Sequence, residues 1–402
     1  MTAQNQALEE MDVEAVKVDE SLYPRSGWSN EIVNAYRTNL ENLPPIAVQR
    51  EEKILVDGYH RLLAHRLEGA KTIKVEYLDI PKDRILWEAT RLNAAHGYQL
   101  SPEDKKRLAR IFFETNGIAK TEIADVLAVS SATVTNWTRD LQEAKDAERD
   151  KTIIGLYLRC LTETEIADKV GLKQPRTHEI IDKFKTEFTD NPPESLQLFN
   201  VWYFPRRDPQ YGLAFEGAIP GQIVENLLHY YTRPFDIVVD PMAGGGTTID
   251  VCKAMYRRYR AYDLNRVRDD ITPHDITTGY PKEAQNCDFI MLDPPYYNMV
   301  FEGLYANIDE FYKFIAELAK NSYAAIRKGG HVAFIIADMT EKGKYCLSGE
   351  SYRSFIEAKF QYVDHLSCPM TTEQFNPQQV ERAKTEHRML GRNRDLYVFR
   401  RP

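Results

Sequence analysis

The pattern of hydrophobic and polar positions divides the chain into three segments. Residues 43–79 alternate as strand, turn and strand, continue as a helix from about Tyr59 to Glu68 that Gly69 ends, and finish in the stretch TIKVEYL. Apolar residues at every second position indicate strands, and those at every third or fourth position indicate helices. This first segment is therefore predicted to form a small α+β unit.

From Ser101 to about Lys185 the pattern is helical and contains an internal repeat. TEIADVLAVSSATVTNWTRDL begins at Thr121, and TEIADKVGLKQPRTHEIIDKF begins at Thr164. Each copy predicts two helices joined by a short turn, the spacing of a helix-turn-helix whose second helix enters the major groove of DNA. A helical hairpin that only packs is the alternative, but two copies with polar second helices favour DNA, and the region resembles tandem helix-turn-helix domains. The candidate DNA-contacting residues are Ser131, Thr133, Asn136, Arg139, Gln174 and Arg176, and a solvated helix surface is the alternative for each.

The third segment follows a proline-rich polar break at 189–195, which is predicted to be a linker. Short apolar runs then alternate with amphipathic helices, which indicates a parallel sheet covered on both faces. No helix is predicted between the last two runs, QYVDHLSCP and DLYVFRR, so they should form an antiparallel hairpin at the sheet edge. The expected domains are 1–100, 101–188 and 189–402.

Composition narrows the class of protein. The chain has 402 residues, 43% hydrophobic and 28% charged, as is typical of globular proteins, and its formal net charge is −8. No stretch approaches the ~18 apolar residues of a membrane span, and the acidic first residues lack the pattern of a secretion signal. Five scattered cysteines form no CxxC pair and no HExxH is present, so neither a disulfide framework nor a metal site is expected. The expected location is the cytoplasm.

A glycine loop, Gly244 to Gly246 in DIVVDPMAGGGTT, comes directly after the first strand of the predicted sheet. Glycines there allow a tight turn and a close approach of backbone to ligand at a helix N-terminus. A Walker loop would need Gly-Lys-Ser/Thr and a dinucleotide fingerprint would need GxGxxG, and neither is present. S-adenosylmethionine has no phosphate and needs no lysine, and Asp263 in RAYDLN stands where an acid would bind its ribose hydroxyls. The pattern favours S-adenosylmethionine over a turn that merely packs.

The motifs DPMAGGGTT, YDLN, HDI and LDPPYY resemble the successive motifs of DNA amino-methyltransferases, the N6-adenine and N4-cytosine class. The resemblance covers about 198–402 and includes NVWYF at 200–204 with GAIPGQIVENLLHYYT, a segment that in this family closes over the cofactor. It implies a class I S-adenosylmethionine-dependent methyltransferase fold with a Rossmann-like seven-stranded sheet, and double-stranded DNA as substrate. Two departures are Met242, where the family has phenylalanine, and Gly245, where it has serine. The implied cofactor-binding residues are Asp240, Pro241, Met242, Ala243, Gly244, Gly245, Gly246, Thr247, Asp263 and Asp275, and for Asp275 a solvent-exposed loop carboxylate is the alternative.

The corner Asp293-Pro294-Pro295-Tyr296 explains how an exocyclic amine of a base could become a nucleophile. Its lone pair is delocalised into the ring, so it must be held in line and its lone pair localised. The Asp293 carboxylate and the Pro294 carbonyl would each accept one amine hydrogen, and Tyr296 offers a ring on which a flipped base can stack. Asp at the first position favours adenine over cytosine, because the cytosine enzymes of this family more often carry Ser. Carbon-5 methylation is excluded because Cys287 precedes the strand.

The stretch LVDGYHRLLAHRLEGAKTIKV resembles the N-terminal domain of ParB and sulfiredoxin proteins. ParB binds cytidine triphosphate through a GxRR box and a later Glu-Asn-x-x-Arg segment, and the matching candidates here are Gly58, His60, Arg61 and Asn93. Tyr59 stands where sulfiredoxins have their cysteine, which excludes that redox activity, and His96 stands where ParB has arginine. A DNA-binding or dimerising scaffold without nucleotide is therefore an equal alternative, and the resemblance implies a homodimer.

The sequence predicts a multidomain DNA methyltransferase that acts on an adenine amine and is positioned on DNA by its ParB-like and helix-turn-helix segments. Three alternatives stay open: an N4-cytosine enzyme, a ParB-like DNA-binding regulator whose methylase half is inactive, and an enzyme that methylates RNA or a protein glutamine.

Overall fold

The computed structural model describes residues 9–95, 100–115, 117–213, 218–297, 304–338, 345–370, 377–387 and 389–402. The chain folds into two compact units, Met1–Glu148 and Arg149–Pro402. The predicted domain boundaries after residues 100 and 188 stay a prediction. None of the helices in these ranges has the length and apolar character that crossing a membrane requires.

The first unit contains a four-stranded sheet in the order β1-β4-β2-β3. Strand β4 pairs parallel to β2 and antiparallel to β1, a strand in the acidic N-terminal stretch that the hydrophobic pattern did not indicate. The helix predicted to end near Gly69 is α2, and Gly69 has a φ of 66°. The strands and helices of this unit are β1 (Glu9–Asp12), α1 (Asn30–Arg37), β2 (Ile46–Gln49), β3 (Leu55–Asp57), α2 (Tyr59–Leu67), β4 (Thr72–Leu78), α3 (Ile85–Ala95), α4 (Pro102–Glu114), α5 (Lys120–Leu127) and α6 (Ser131–Trp137).

The boundary between the units falls within helix α7 (Arg139–Leu158), so the two copies of the repeat lie in different units. The first copy is α5 with α6. The second copy is α8 (Glu163–Val170) with α9 (Gln174–Glu187), and Thr162 begins it with a capping box in which Thr162 and Glu165 bond each other's backbone amides.

The second unit contains a seven-stranded sheet in the order β10-β11-β9-β8-β5-β6-β7. The five neighbouring strands β9, β8, β5, β6 and β7 run parallel to one another. Strand β11 lies between β9 and β10 and is antiparallel to both. This is the mixed Rossmann-like sheet that the sequence predicted. Its elements are α10 (Gly221–Tyr231), β5 (Ile237–Asp240), α11 (Thr247–Ala254), β6 (Arg258–Asp263), β7 (Thr272–Pro273), β8 (Cys287–Leu292), α12 (Ile308–Ala325), β9 (Ile326–Ile336), α13 (Leu347–Glu357), β10 (Gln361–Pro369), α14 (Pro377–Thr385) and β11 (Asn393–Arg400).

Helices cover both faces of this sheet. One face packs against α7 to α11 in a single buried cluster, and the other packs against α12 and α13. Strand direction places the carboxyl ends of β5, β6 and β8 at one edge, where ligands of open α/β sheets bind.

Two expectations about this unit are corrected by the structure. The last two strands pair antiparallel as a hairpin at the edge of the sheet, as predicted, but helix α14 lies between them along the chain. The polar insert hid α14 because most of its side chains face solvent. The break at 189–195 has no regular structure, yet Asp190 forms an ion pair with the fully buried Arg257 at 2.8 Å, so the break is anchored to the unit rather than free.

Candidate functional site

The glycine loop connects β5 to α11 at the carboxyl edge of the sheet. Gly244 and Gly246 have φ values of 48° and 83°, in the left-handed region that favours glycine. A Cβ at Gly246 would lie 2.5 Å from Nη1 of Arg268. Arg268, which the sequence pattern did not single out, is itself held by ion pairs to Asp250 at 2.7 Å and Asp270 at 2.9 Å. The backbone shape of this loop therefore depends on glycine.

Asp263 lies beside this loop, as the sequence predicted. The Asp263 carboxylate accepts hydrogen bonds from the backbone amides of Gly244 and Asn265, both at 2.9 Å. The amide of Ala243 donates to the carbonyl of Tyr262 at 2.9 Å, which ties the loop to the end of β6. The contact follows from the parallel pairing of β5 with β6, because both strands end at the same edge.

The segment before α10 lies on the glycine loop. The Leu213 amide donates to the carbonyl of Gly245, and the Gly212 amide donates to the Asp250 carboxylate, both at 2.9 Å. A Cβ at Gly212 would lie 2.5 Å from Oγ1 of Thr247, so glycine permits this close contact. The expectation that this region covers the cofactor loop partly concerns residues 214–217, which are outside the described residues.

The Asp293 corner begins where β8 ends. Asp293 is half-buried, and Oδ1 of its carboxylate accepts a hydrogen bond from the Tyr296 hydroxyl at 3.2 Å. Burial raises the pKa of Asp293 to about 6, and the charge of Arg394 and the Tyr296 hydrogen bond oppose that rise. Pro294 is buried and Pro295 is half-buried, which keeps the corner compact.

The Tyr296 ring, expected to stack on a flipped base, is only 8% exposed and belongs to the buried cluster beneath the corner. Tyr297 packs edge-on against Tyr345 at 5.7 Å between ring centroids. The hydroxyl of Tyr305 donates to the Pro295 carbonyl at 3.4 Å. In this conformation the Tyr296 hydroxyl donates to one oxygen of the Asp293 carboxylate, and the ring lies beneath the corner.

Three carboxylates meet at this edge because β8, β5 and β6 are neighbours. Asp240 is buried, and its carboxylate accepts from the Met242 amide at 3.0 Å. Burial is the main reason that the pKa of Asp240 is raised to about 7, and the charges of Asp293 and Asp263 act in the same direction. A cluster of carboxylates beside a loop of backbone amides fits S-adenosylmethionine, whose sulfonium is positive and whose methionine end carries both an ammonium and a carboxylate.

The remaining predicted loop residues divide into buried and exposed positions. Pro241, Ala243, Gly245 and Thr247 are buried. Asp275 is exposed, and its carboxylate accepts from the amide and hydroxyl of Thr277, which caps the short turn Ile276–Thr278 and lowers the Asp275 pKa. Local capping therefore accounts for Asp275, which matches the alternative of a solvent-exposed loop carboxylate.

The two repeat copies present different second helices. On α6, Ser131 and Asn136 are exposed, and the exposed Arg139, the first residue of α7, donates to the Asn136 side chain at 2.6 Å. Thr133 is half-buried, and its amide is capped by the Ser130 hydroxyl at 3.0 Å. The exposed side chains of this helix are thus available to a partner.

On α9, Gln174 and Arg176 are also exposed but are engaged by acidic side chains, Glu163 at 2.8 Å and Glu179 at 2.8 Å. The inner face of α9 packs into the large cluster of the seven-stranded sheet. Phe184 lies 5.1 Å from Tyr256 between ring centroids. The second copy is therefore an integral part of the second unit, which the repeat alone did not reveal.

Two of the four candidate nucleotide residues, Arg61 and Asn93, meet at the carboxylate of Asp57. Arg61 pairs with Asp57 at 2.7 Å, and Asn93 donates to the same carboxylate at 3.1 Å. The buried Arg25, which carried no signal in the sequence, donates to the Asn93 side chain at 2.8 Å. His60 accepts from the Ser29 amide at 3.0 Å, and Gly58 has a φ of 101°. His96 is outside the described residues.

A family model described as DNA methylase, of the N6/N4 class, matches residues 65–272, just over half of the chain. The match includes the glycine loop and Asp263 and ends before Asp293. The transcriptional regulator NovG of Streptomyces niveus is 33% identical over 120 residues, which are 27% of this chain and 38% of NovG. A possible regulatory protein of the streptomycin biosynthesis operon of Streptomyces griseus is 34% identical over 94 residues, 23% of this chain and 27% of that protein. The chain thus spans well under half of both relatives.

The solved structures that match parts of this chain include a ParB protein and an S-adenosylmethionine-dependent methyltransferase. A C-terminally truncated ParB from Caulobacter crescentus bound to its centromeric parS site is 17% identical, with 44% of this chain and 99% of that chain covered and a TM-score of 0.27. A TehB-like S-adenosylmethionine-dependent methyltransferase from Corynebacterium glutamicum is 10% identical, with 46% and 90% covered and a TM-score of 0.32. Scores this low carry no argument about function.

The matched range includes the glycine loop and strands β5 and β6, which the geometry brings together at the carboxyl edge of the sheet. Membership in this family implies S-adenosylmethionine as the methyl donor, as the sequence predicted. The chain belongs to the DNA methylase family.

Proposed function

We propose that this protein is a site-specific DNA methyltransferase that transfers a methyl group from S-adenosylmethionine to the exocyclic N6 amine of an adenine flipped out of duplex DNA. The observation that carries the proposal is the placement of the glycine loop, Asp263 and Asp293 on the neighbouring strands β5, β6 and β8, at one edge of the sheet. A cofactor held at the loop lies next to an acceptor for the amine.

When bound, S-adenosylmethionine supplies a methyl group on a positively charged sulfur, and transfer forms a nitrogen–carbon bond while the carbon–sulfur bond breaks with its electron pair left on sulfur. Asp293 accepts one amine hydrogen and the Pro294 carbonyl accepts the other, which localises the lone pair on nitrogen. The proton that the methylated nitrogen loses passes to the Asp293 carboxylate. Positioning supplies most of the rate enhancement, without a covalent intermediate.

Tyr296 must turn before a base can stack on it, because its ring is only 8% exposed. The Tyr296 hydroxyl donates to Oδ1 of Asp293, and the second carboxylate oxygen can accept the amine hydrogen. Stacking on an aromatic ring contributes roughly 1–3 kcal/mol per base, similar to the few kcal/mol that unstacking the base costs. The free energy that stacking on Tyr296 contributes is therefore close to the free energy that flipping the base costs.

The first repeat copy is the better candidate for reading the target sequence. Ser131 and Asn136 of α6 are exposed, as is Arg139 at the start of α7, whereas Gln174 and Arg176 of α9 are engaged by Glu163 and Glu179. Helix α6 therefore enters the major groove, and the second copy serves to mount α7 on the methylase sheet. The homodimer and the nucleotide site implied by the ParB resemblance stay predictions.

A DNA-binding regulator with an inactive methylase half is the second candidate. It is favoured by the names of the two Streptomyces relatives, both of which are described as regulatory proteins. Transfer to N4 of cytosine is a variant of the first proposal, with the same clamp and a different base.

Nucleoside mass spectrometry of duplex DNA incubated with the protein and methyl-labelled S-adenosylmethionine tests the proposal. We expect label in N6-methyladenine, and we expect Asp293→Ala to abolish it while DNA and cofactor binding persist. Asp275→Ala is the matched control and should keep full transfer. Label in N4-methylcytosine would correct the base, and cofactor binding with no labelled nucleoside would favour the regulator.

A further inference from the structure

Arg394 occupies an unusual position at the start of β11. This strand runs antiparallel to β9, so its first residues lie at the edge where β8 and β9 end. Residues at alternate positions of a strand share a face, and Leu396 and Val398 belong to the buried cluster that contains Phe289 and Met291 of β8. Arg394 and Asp293 each continue that face by one step beyond the last apolar residue.

Strand β9 lies between the two residues, with β8 on one side and β11 on the other. Strands lie about 4.8 Å apart, so two steps separate the axes of β8 and β11 by roughly 10 Å. The pairings along β9 continue to Ile335 for Asp293 and to Ala337 for Arg394, an offset of two residues. The charge of Arg394 opposes the rise that burial causes in the pKa of Asp293. The Arg394 Nε is buried and has no hydrogen-bond partner among the described residues. Arg394 therefore brings a buried donor, its Nε, and a positive charge to the end of the sheet where the candidate acceptor lies.

The charged and titratable groups around Asp293 come from three elements. Tyr296 of the same corner donates a hydrogen bond, Asp240 at the end of β5 adds negative charge, and Arg394 of β11 is the cation among them. Burial favours the protonated acid, and a protonated Asp293 is a weaker acceptor for the amine hydrogen and cannot take up the proton that the amine loses. Arg394 is the group that opposes this.

We propose that Arg394 is a positioning residue that keeps the Asp293 carboxylate ionised and directed at the target amine. The inference rests on the proposed function, in which Asp293 is the acceptor. Arg394 acts through Asp293 and does not itself touch the methyl group.

Methyl transfer measured as a function of pH tests this, with full-length protein, tritiated S-adenosylmethionine and a duplex substrate. The wild type should lose activity as the pH falls through about 6, the pKa to which burial raises Asp293. Arg394→Gln removes the charge that opposes the effect of burial on the Asp293 pKa, so it should move this acid side of the pH–activity profile upward by about one pH unit. Arg394→Lys keeps the positive charge and should lose activity at the same acid pH as wild type. Arg400→Gln, at the exposed far end of the same strand, is the matched control and should behave as wild type.

A carbon-13 NMR titration of aspartate side chains, with the Asp293 signal assigned from Asp293→Asn, measures the same shift without activity. If wild type methylates no DNA, the proposed function fails and this titration still decides the role of Arg394. The inference would be overturned by a folded Arg394→Gln protein whose activity falls at the same acid pH as wild type. It would also be overturned if Asp293 titrates in that variant at the wild-type pH. If Arg394→Gln does not fold, a shifted acid side of the profile in Arg394→Lys would overturn it as well.

Discussion

Replacement of Asp263 by alanine probes the link between the glycine loop and cofactor affinity. The carboxylate accepts from the Gly244 and Asn265 amides at 2.9 Å, and each of its oxygens keeps a further lone pair that could accept from a ribose hydroxyl. A hydrogen bond to a charged group contributes about 1.5–3 kcal/mol. Loss of one such bond to the ligand therefore raises the dissociation constant for S-adenosylmethionine about 10- to 150-fold. The released Gly244 amide adds to the loss, because the loop is no longer held in shape.

Isothermal titration calorimetry with S-adenosylmethionine measures this effect, and thermal unfolding shows whether each variant is folded. Asp275→Ala is the control, since that carboxylate caps its own turn at the surface, and its dissociation constant should stay within about threefold of wild type. Asp263→Asn keeps an oxygen acceptor for one amide and should fall between the two. A folded Asp263→Ala protein that binds the cofactor as tightly as wild type would refute the assignment of Asp263.

Two further predictions concern the anchored break and the DNA-reading helix. Asp190→Ala leaves the buried Arg257 without its carboxylate. Removing one partner of a buried pair costs about 3 kcal/mol or more, so chemical denaturation should show a decrease of that size in the free energy of unfolding. Glu194→Ala, at an exposed position of the same break, is the control, and an equally small change in Asp190→Ala would contradict the anchoring. Asn136→Ala removes a side chain expected to contact a base edge and should weaken binding to the target duplex by about 1–3 kcal/mol. Gln174→Ala should leave this affinity unchanged, and fluorescence anisotropy at fixed salt measures both. If Gln174→Ala weakens binding and Asn136→Ala does not, α9 rather than α6 reads DNA.

The order of helices and strands was predictable from sequence wherever a local pattern was strong. The strands ending at Asp240, Asp263 and Leu292 carry uninterrupted or alternating apolar residues, and each is followed by glycine, acid or proline that ends it. Both second helices of the repeat were predicted for the same reason. Strand β1 and helix α14 were missed because their side chains are mostly exposed and polar, so that little periodicity marks them.

The sequence by itself thus determined which residue types follow each strand, including the glycine loop, Asp263 and the Asp293 corner, because these depend on local backbone requirements. Only the tertiary structure decided which of them meet. The strand order β8-β5-β6 brings three carboxylates to one edge, the Tyr296 ring is buried, and β11 with Arg394 lies on the other side of β9 from β8 with Asp293. The tertiary structure also separated two similar repeats, one with an exposed second helix and one packed on the sheet. Such contacts join residues a hundred positions apart, and the burial that selects them leaves no period in the sequence around either partner.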